Sequence, residues 1–355
     1  MLSSVFDKVC IESYAFNRPT ISVSTDEIED RLAPLYKRYM IPFGTLSKLS
    51  GINTRGFFEK GTLPSEIATE AARMTLKESG IDKKDIGAVF SCSVTRDFFE
   101  PATSVLVHQN LGLSEEVMAL DITNACIGFS NGMLMAANLI ESGAIKAALV
   151  VSGENMAPIV DTTFEKLLSP EAEKISRSEF VKMLPTFTLG SGGVAMLMCH
   201  QDIATKHHRF VAAHARSASQ HSDLCVGNGD FCFTQTEGLD PLMETQSKKL
   251  VSAASKLGAR AWPEFAKLSG WKAEELDHLV CHQVGKQVNA SFYEPQGLPY
   301  EKEHTVYQDY GNLVSAAMPS AMISTAEEGK FMTGDKILLT GYGSGLNTMF
   351  SGIVW

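Results

Sequence analysis

Short, nearly uninterrupted apolar runs alternate along this chain with longer stretches in which small and apolar residues recur at helical spacing. "AALVVSG" and "KILLTGYG" are runs of the first kind. Continuous hydrophobicity predicts strands buried on both faces, in a sheet covered by helices. "NACIGFSNGMLMAANLIESG" and "YGNLVSAAMPSAMISTAEEG" are of the second kind. Neither carries a charged stripe, so each predicts a helix buried all round. Each closes on a glycine, Gly143 or Gly329, suited to a left-handed helix end.

These elements recur in order. "GIDKKDIGAVFSCSV" from Gly80 and "GWKAEELDHLVCHQV" from Gly270 share one layout: a glycine, a charged helix-capping stretch, an aliphatic residue and a short strand. Ile86 matches Leu276, Val89 matches Leu279 and Cys92 falls opposite His282, an offset of 190 (282 − 92). The helical pair repeats at an offset of 186 (329 − 143), which sets Cys126 opposite Asn312. The two apolar strands follow, again in the same order. Such a repeat predicts a duplicated α/β architecture of two similar halves, each a mixed sheet flanked by helices. The polar run "CHQDIATKHHRF" at 199–210 marks the boundary, giving halves of 1–200 and 201–355. Residues 157–187 (helical) and 216–250 (loop and helix) have no counterpart and read as insertions. Insertions on a duplicated scaffold commonly shape a substrate entrance.

Composition narrows the function. The 355 residues carry a formal charge of −10 and no cluster of Lys and Arg, which excludes a nucleic-acid partner. "MLSSVFDKVCIES" lacks the features of a secretory leader, and no apolar run is long enough to span a bilayer. Seven widely spaced cysteines without a Cys-x-x-Cys pair suit a reducing cytoplasm better than a disulfide framework. His200, His207, His208, His214 and His221 lack zinc-site spacing, so the reading is a solvated surface and no metal. Cys225 and Cys232 read as structural or surface thiols.

The chemistry lies in the register of the repeat. Cys126, His282 and Asn312 occupy corresponding ends of corresponding elements, which converge between the halves of a pseudo-twofold structure. Alone, each has an inert reading: a buried thiol, a core imidazole, a turn amide. Together they form a nucleophile, a proton relay and a neutral donor for an oxyanion or enolate. The start of a helix at Cys126 favours thiolate over thiol.

"DITNACIGFSNGM", "VCHQVGKQV" and "YGNLVSAAMPSAM", with thirty residues from His282 to Asn312 (312 − 282) and a terminal "GYGSGLN", resemble the thiolase-fold ketoacyl synthase III (3-oxoacyl-ACP synthase III) family over essentially the whole chain. The resemblance implies a five-layered αβαβα fold of two mixed sheets with buried helices. It implies Cys126, His282 and Asn312 as catalytic residues, and oxyanion donors in the loop Gly343, Ser344, Gly345. Coenzyme A thioesters would be substrates, with no permanently bound cofactor. "SVTRDFFEPAT", "NLGL" and "LLSPE" are similar to the branch that joins two acyl-CoAs head to head in bacterial olefin biosynthesis. There the general base is a glutamate 26 residues before the nucleophile, acting across a homodimer interface, and Glu100 stands at that spacing (126 − 100). Its other reading is an exposed charge before Pro101 at a helix start.

One departure concerns the carrier. "GTLSKLSGINTRGFF" lacks the family's CoA-clamping Trp and leaves Arg55 and Lys48 as candidate cations for CoA phosphates. Phe98, Phe99, Phe129 and Met133 are candidates for an acyl channel, against the reading of plain core. Three functions stay open: non-decarboxylative condensation of two fatty acyl-CoAs, decarboxylative condensation of an acyl-CoA with malonyl-ACP, and a non-catalytic acyl-binding scaffold. An acyl carrier protein or pathway enzymes would be further partners.

Overall fold

The computed structural model describes residues 2–228 and 242–355. Cys232 and the middle of the second insertion lie outside the described residues.

The first half builds its sheet from five strands. β5 (Ile86–Ser91) pairs in parallel with β6 (Met118–Asp121) and β7 (Ala147–Glu154). β8 (Gly192–His200) runs antiparallel to β7 and to β2 (Val9–Asn17). The second half repeats this pattern. β12 (His278–Cys281) is parallel to β13 (Lys336–Gly343), β13 is antiparallel to β14 (Asn347–Val354), and β14 is antiparallel to β9 (His208–Ser217). The order β5–β7–β8–β2 thus matches β12–β13–β14–β9.

Two features tie the two mixed sheets together. Cys10 and Ile11 of β2 pair with Arg209 and His208 of β9, joining the halves into one ten-stranded mixed sheet. β1 (Leu2–Val5) crosses from the first half to the edge of β9. We place the division between halves in the turn between β8 and β9, with β1 counted to the second. Two small ribbons complete the strands: β3 (Ile21–Ser24) with β4 (Thr54–Phe57), and β10 (Cys225–Asn228) with β11 (Leu242–Thr245).

Every residue of β7 is buried, as its unbroken apolar run requires. Helices Gly128–Glu141 and Ala317–Glu327 are the duplicated pair, and both sink into the main core cluster with strand residues of both halves. Close approach explains the glycines of the first: a Cβ on Gly128 would stand 2.5 Å from the Cys92 carbonyl oxygen. Phe129 and Met133, proposed for an acyl channel, are 0% and 1% exposed and pack in this core.

Residues 157–187 hold the helices Ala157–Leu168 and Arg177–Met183. Phe164, Phe180 and Phe187 form a separate apolar cluster with Val314, and Cys126 packs against it. The histidine-rich segment is not a solvated surface throughout. His214 is 1% exposed and hydrogen-bonds Ser3 at 2.8 Å, and His208 stacks on Trp355, because alternate residues of β9 face the interior. Among the described residues no group of three or more His, Cys, Asp or Glu side chains is placed to hold a metal ion.

Candidate active site

Cys126 stands on a short loop between β6 and the helix Gly128–Glu141, two residues before the helix begins. Ala125 before it takes φ +46°. The loop is held by amides. Asn124 donates to the Asn131 carboxamide oxygen at 2.7 Å and accepts from Asn347 Nδ2 at 3.0 Å. Asn347 also donates to the Ser344 carbonyl at 3.1 Å. This pins the turn between β13 and β14 to the cysteine loop. A Cβ on Gly343 would stand 3.4 Å from the Cys126 nitrogen, so Gly343 lies beside the Cys126 amide, and Ser344 and Gly345 follow it in the turn.

His282 follows β12, and its N–H donates to the Thr340 carbonyl at 2.9 Å, extending the ladder with β13. Its ring is 3% exposed, and Nδ1 is buried with no hydrogen-bond partner among the described residues. Burial lowers its pKa to about 4, so the imidazole is neutral at pH 7.

Asn312 sits in a sharp loop. Its N–H donates to the Thr188 carbonyl at 2.8 Å and its own carbonyl accepts from Gly190 at 3.0 Å. The carboxamide oxygen accepts from the Val314 N–H at 2.9 Å. With the oxygen so occupied, Nδ2 is the end with donors to offer. The loop's neighbours, Leu189 and Val314, belong to the apolar cluster against which Cys126 packs.

The electrostatics differ from the expectation of a thiolate. Burial raises the Cys126 thiol above its ordinary pKa, and the nearby Cys225 and Glu154 push it the same way. The field of the helix start does not outweigh that desolvation. Burial thus favours the thiol at Cys126 and the neutral imidazole at His282.

Glu100 is exposed, at the tip of a segment fixed at three points. Glu154 accepts from the Val94 and Thr95 N–H groups at 2.9 and 3.0 Å. Asp97 accepts from the Ser65 N–H at 2.8 Å. Asp121 accepts from the Thr103 and Ser104 N–H groups at 2.9 and 2.7 Å, capping the next helix. Phe98 and Phe99 beside Glu100 are 50% and 55% exposed, so on this chain they line no internal channel.

The two candidate CoA cations part company. Arg55 is fully buried beneath the Asn312 loop and donates to Thr25 Oγ1 at 2.9 Å; its Cβ would be 2.9 Å from a Cβ on Gly311. It is a packing and hydrogen-bonding residue of the interior, out of reach of a phosphate. Lys48 is exposed on the helix Thr45–Ser50, which packs against Gly285 and Lys286 just beyond His282.

A cavity of about 820 Å³ reaches the cysteine loop from the side. Ile122, Asn124, Ile127 and Asn347 line it, while Cys126, His282 and Asn312 do not. The amides Asn124 and Asn347 and the acid Glu154 carry no assignment in the sequence reading. The signal for the first two was their place within "DITNAC" and "GYGSGLN"; nothing in the one-dimensional pattern marks Glu154.

The duplicated fold and this arrangement define a thiolase-fold condensing acyltransferase. The family described as 3-oxoacyl-[acyl-carrier-protein] synthase III matches residues 120–219, and its C-terminal part matches 266–355. The chain belongs to that family. It is 35% identical to an acyl-CoA:acyl-CoA alkyltransferase of Shewanella oneidensis, over 99% of both chains. It superimposes with a TM-score of 0.92 on cerulenin-bound OleA of Xanthomonas campestris, 34% identical, covering 99% of this chain and 98% of that one. A beta-ketoacyl-[acyl-carrier-protein] synthase III of Halalkalibacterium halodurans is 29% identical over 84% of this chain and 85% of that protein.

Proposed function

We propose that the protein condenses two fatty acyl-CoA thioesters head to head, without loss of CO2, to a 2-alkyl-3-ketoacid. The observation that carries this reading is Glu100: a carboxylate offered at a rigid, exposed tip. A decarboxylative synthase obtains its carbanion from a malonyl thioester and needs no base at that step. Removing an α-proton from a plain acyl thioester does need one.

Cys126 attacks the first thioester as its proton passes to His282, and coenzyme A leaves as the thiol, giving an acyl-cysteine. The Cys126 N–H and the Gly343–Gly345 loop face the oxyanion. Glu100 then takes an α-proton from the second acyl-CoA, with His282 and Asn312 donating to the enolate oxygen. The enolate carbon attacks the acyl-cysteine and expels Cys126. Water cleaves the resulting 3-ketoacyl-CoA, releasing the ketoacid and coenzyme A. The CoA phosphates meet Lys48 near the mouth.

Glu100 acts in a second copy. β6 is an open sheet edge with Met118 and Leu120 exposed, and Asp121 at its end anchors the helix that follows the tip. A two-fold pairing of β6 edges would set each tip against residues 122–127 of the other subunit. No described helix is long and apolar enough to cross a membrane; the reading is a cytoplasmic homodimer that hands its product to pathway enzymes.

Incubation with a single long-chain acyl-CoA and no malonyl donor gives coupled ketoacid on this reading, and its absence overturns it. The relatives named ketoacyl-ACP synthase favour a second reading, malonyl-ACP as donor. In that case Glu100→Gln would leave turnover nearly intact.

A further inference from the structure

Glu154 ends β7 and is fully buried, and no ion pair meets it among the described residues. Instead it collects five hydrogen bonds. Its Oε1 accepts from the Val94 N–H at 2.9 Å, the Ser315 hydroxyl at 2.6 Å and the Ser315 N–H at 3.4 Å. Its Oε2 accepts from the Thr95 N–H at 3.0 Å and the Thr95 hydroxyl at 2.8 Å. The Ser315 hydroxyl also lies 2.6 Å from that of Ser152.

A buried carboxylate without a counter-ion is costly, and an apolar side chain would fill the space more cheaply. The gain must lie in what the acid holds. Val94 and Thr95 open the segment that carries Glu100; Ser315 stands three residues after Asn312. We propose that Glu154 is a positioning residue that fixes two things from one carboxylate: the Asn312 amide of its own subunit's site, and the tip that delivers Glu100 to the partner's site. This rests on the reading that Glu100 acts in trans. Each Glu154 then serves both active sites of the dimer, through different arms.

Mixed dimers separate the arms. One subunit carries Glu100→Ala and keeps Cys126; the other carries Cys126→Ala and keeps Glu100, so a single complete site remains. Differently tagged subunits are co-purified and assayed with long-chain acyl-CoA. Glu154→Gln in either subunit should lower kcat about tenfold, below the roughly 100-fold that a full ångström of misplacement can cost. Ser315→Ala should cost more in the Cys126-supplying subunit, and Thr95→Val more in the Glu100-supplying one. These smaller changes keep the test intact if Glu154→Gln does not fold. An inactive parental mixed dimer overturns action in trans. An active parent with Glu154→Gln harmful in one subunit only, or in neither, overturns the role of Glu154, as does a lack of asymmetry for Ser315→Ala and Thr95→Val.

Discussion

Ala125 and Gly311, the residues immediately before Cys126 and Asn312, both hold positive φ, at 46° and 73°. The two halves thus turn the chain by the same device just before their functional side chain. Gly311 has no alternative: a Cβ there would stand 2.7 Å from the Thr188 carbonyl oxygen and 2.9 Å from the Arg55 Cβ. Gly311→Ala should cost about 2 kcal/mol of stability and lower kcat with it. Ala125→Gly relieves strain and should keep the fold at least as stable. Urea unfolding of both variants checks this; an unchanged midpoint for Gly311→Ala would show that the loop adjusts freely.

Asn347→Ala removes the clamp between the 344–346 turn and the cysteine loop. Acylation by acyl-CoA should slow by about 10- to 100-fold, less than the roughly 100- to 1000-fold cost of deleting an oxyanion donor outright, while the far-ultraviolet circular dichroism stays native. Stopped-flow release of the first coenzyme A measures it. A wild-type acylation rate would detach the turn from the oxyanion.

Because burial raises the Cys126 thiol, iodoacetamide should label it slowly at pH 7, no faster than Cys225. On the proposed mechanism acyl-CoA should still acylate Cys126 within the first turnover, with His282 taking the proton during attack. Mass spectrometry after timed quenching distinguishes the two. Rapid alkylation at pH 7 would mean a resting thiolate and contradict the electrostatics described.

His282 is held neutral with a pKa of about 4, below the ordinary histidine value. The unfolded chain therefore binds more protons than the folded one between roughly pH 6.5 and 4, and stability falls as pH drops through that window. The contribution of His282 is of order 3 kcal/mol once pH reaches 4. Glu303, raised to about 7 by burial, works in the opposite sense, losing stability as pH rises from its unfolded value toward 7. His282→Asn should flatten the acid limb of a stability-versus-pH curve. A curve of unchanged steepness would place the acid sensitivity elsewhere.

Glu100→Gln should abolish coupling by a factor of about 100 or more, the usual size of a general-base contribution. Acylation of Cys126 should persist, seen as one coenzyme A released per subunit. Loss of that first release would point to damage at Cys126 instead of loss of a base.

Much of the fold was legible because its signals are local. The strand "AALVVSGE" reads as buried on both faces from its own residues, and the helices after Cys126 and Asn312 read as buried from their missing charged stripe. The repeat then placed Cys126 against Asn312 without any coordinates. Arg55 was misread because a cation near a family motif looks the same in one dimension whether it faces solvent or the underside of a loop. Phe98 and Phe129 show the same limit: two aromatic residues of equal hydropathy, one half exposed and one fully buried.

The sequence by itself determined the repeat, the alternation of buried strands and helices, and the matching of Cys126 to Asn312 and of Cys92 to His282. Periodicity and small-residue patterning encode these, and both act over a few residues. Only the tertiary structure decided the charge state of the site, the burial of Arg55 and His214, the amide clamp of Asn124 and Asn347, and the junction that Glu154 makes between two loops. Those depend on desolvation and on hydrogen bonds between residues far apart in the chain, such as Glu154 and Ser315, which no local pattern records.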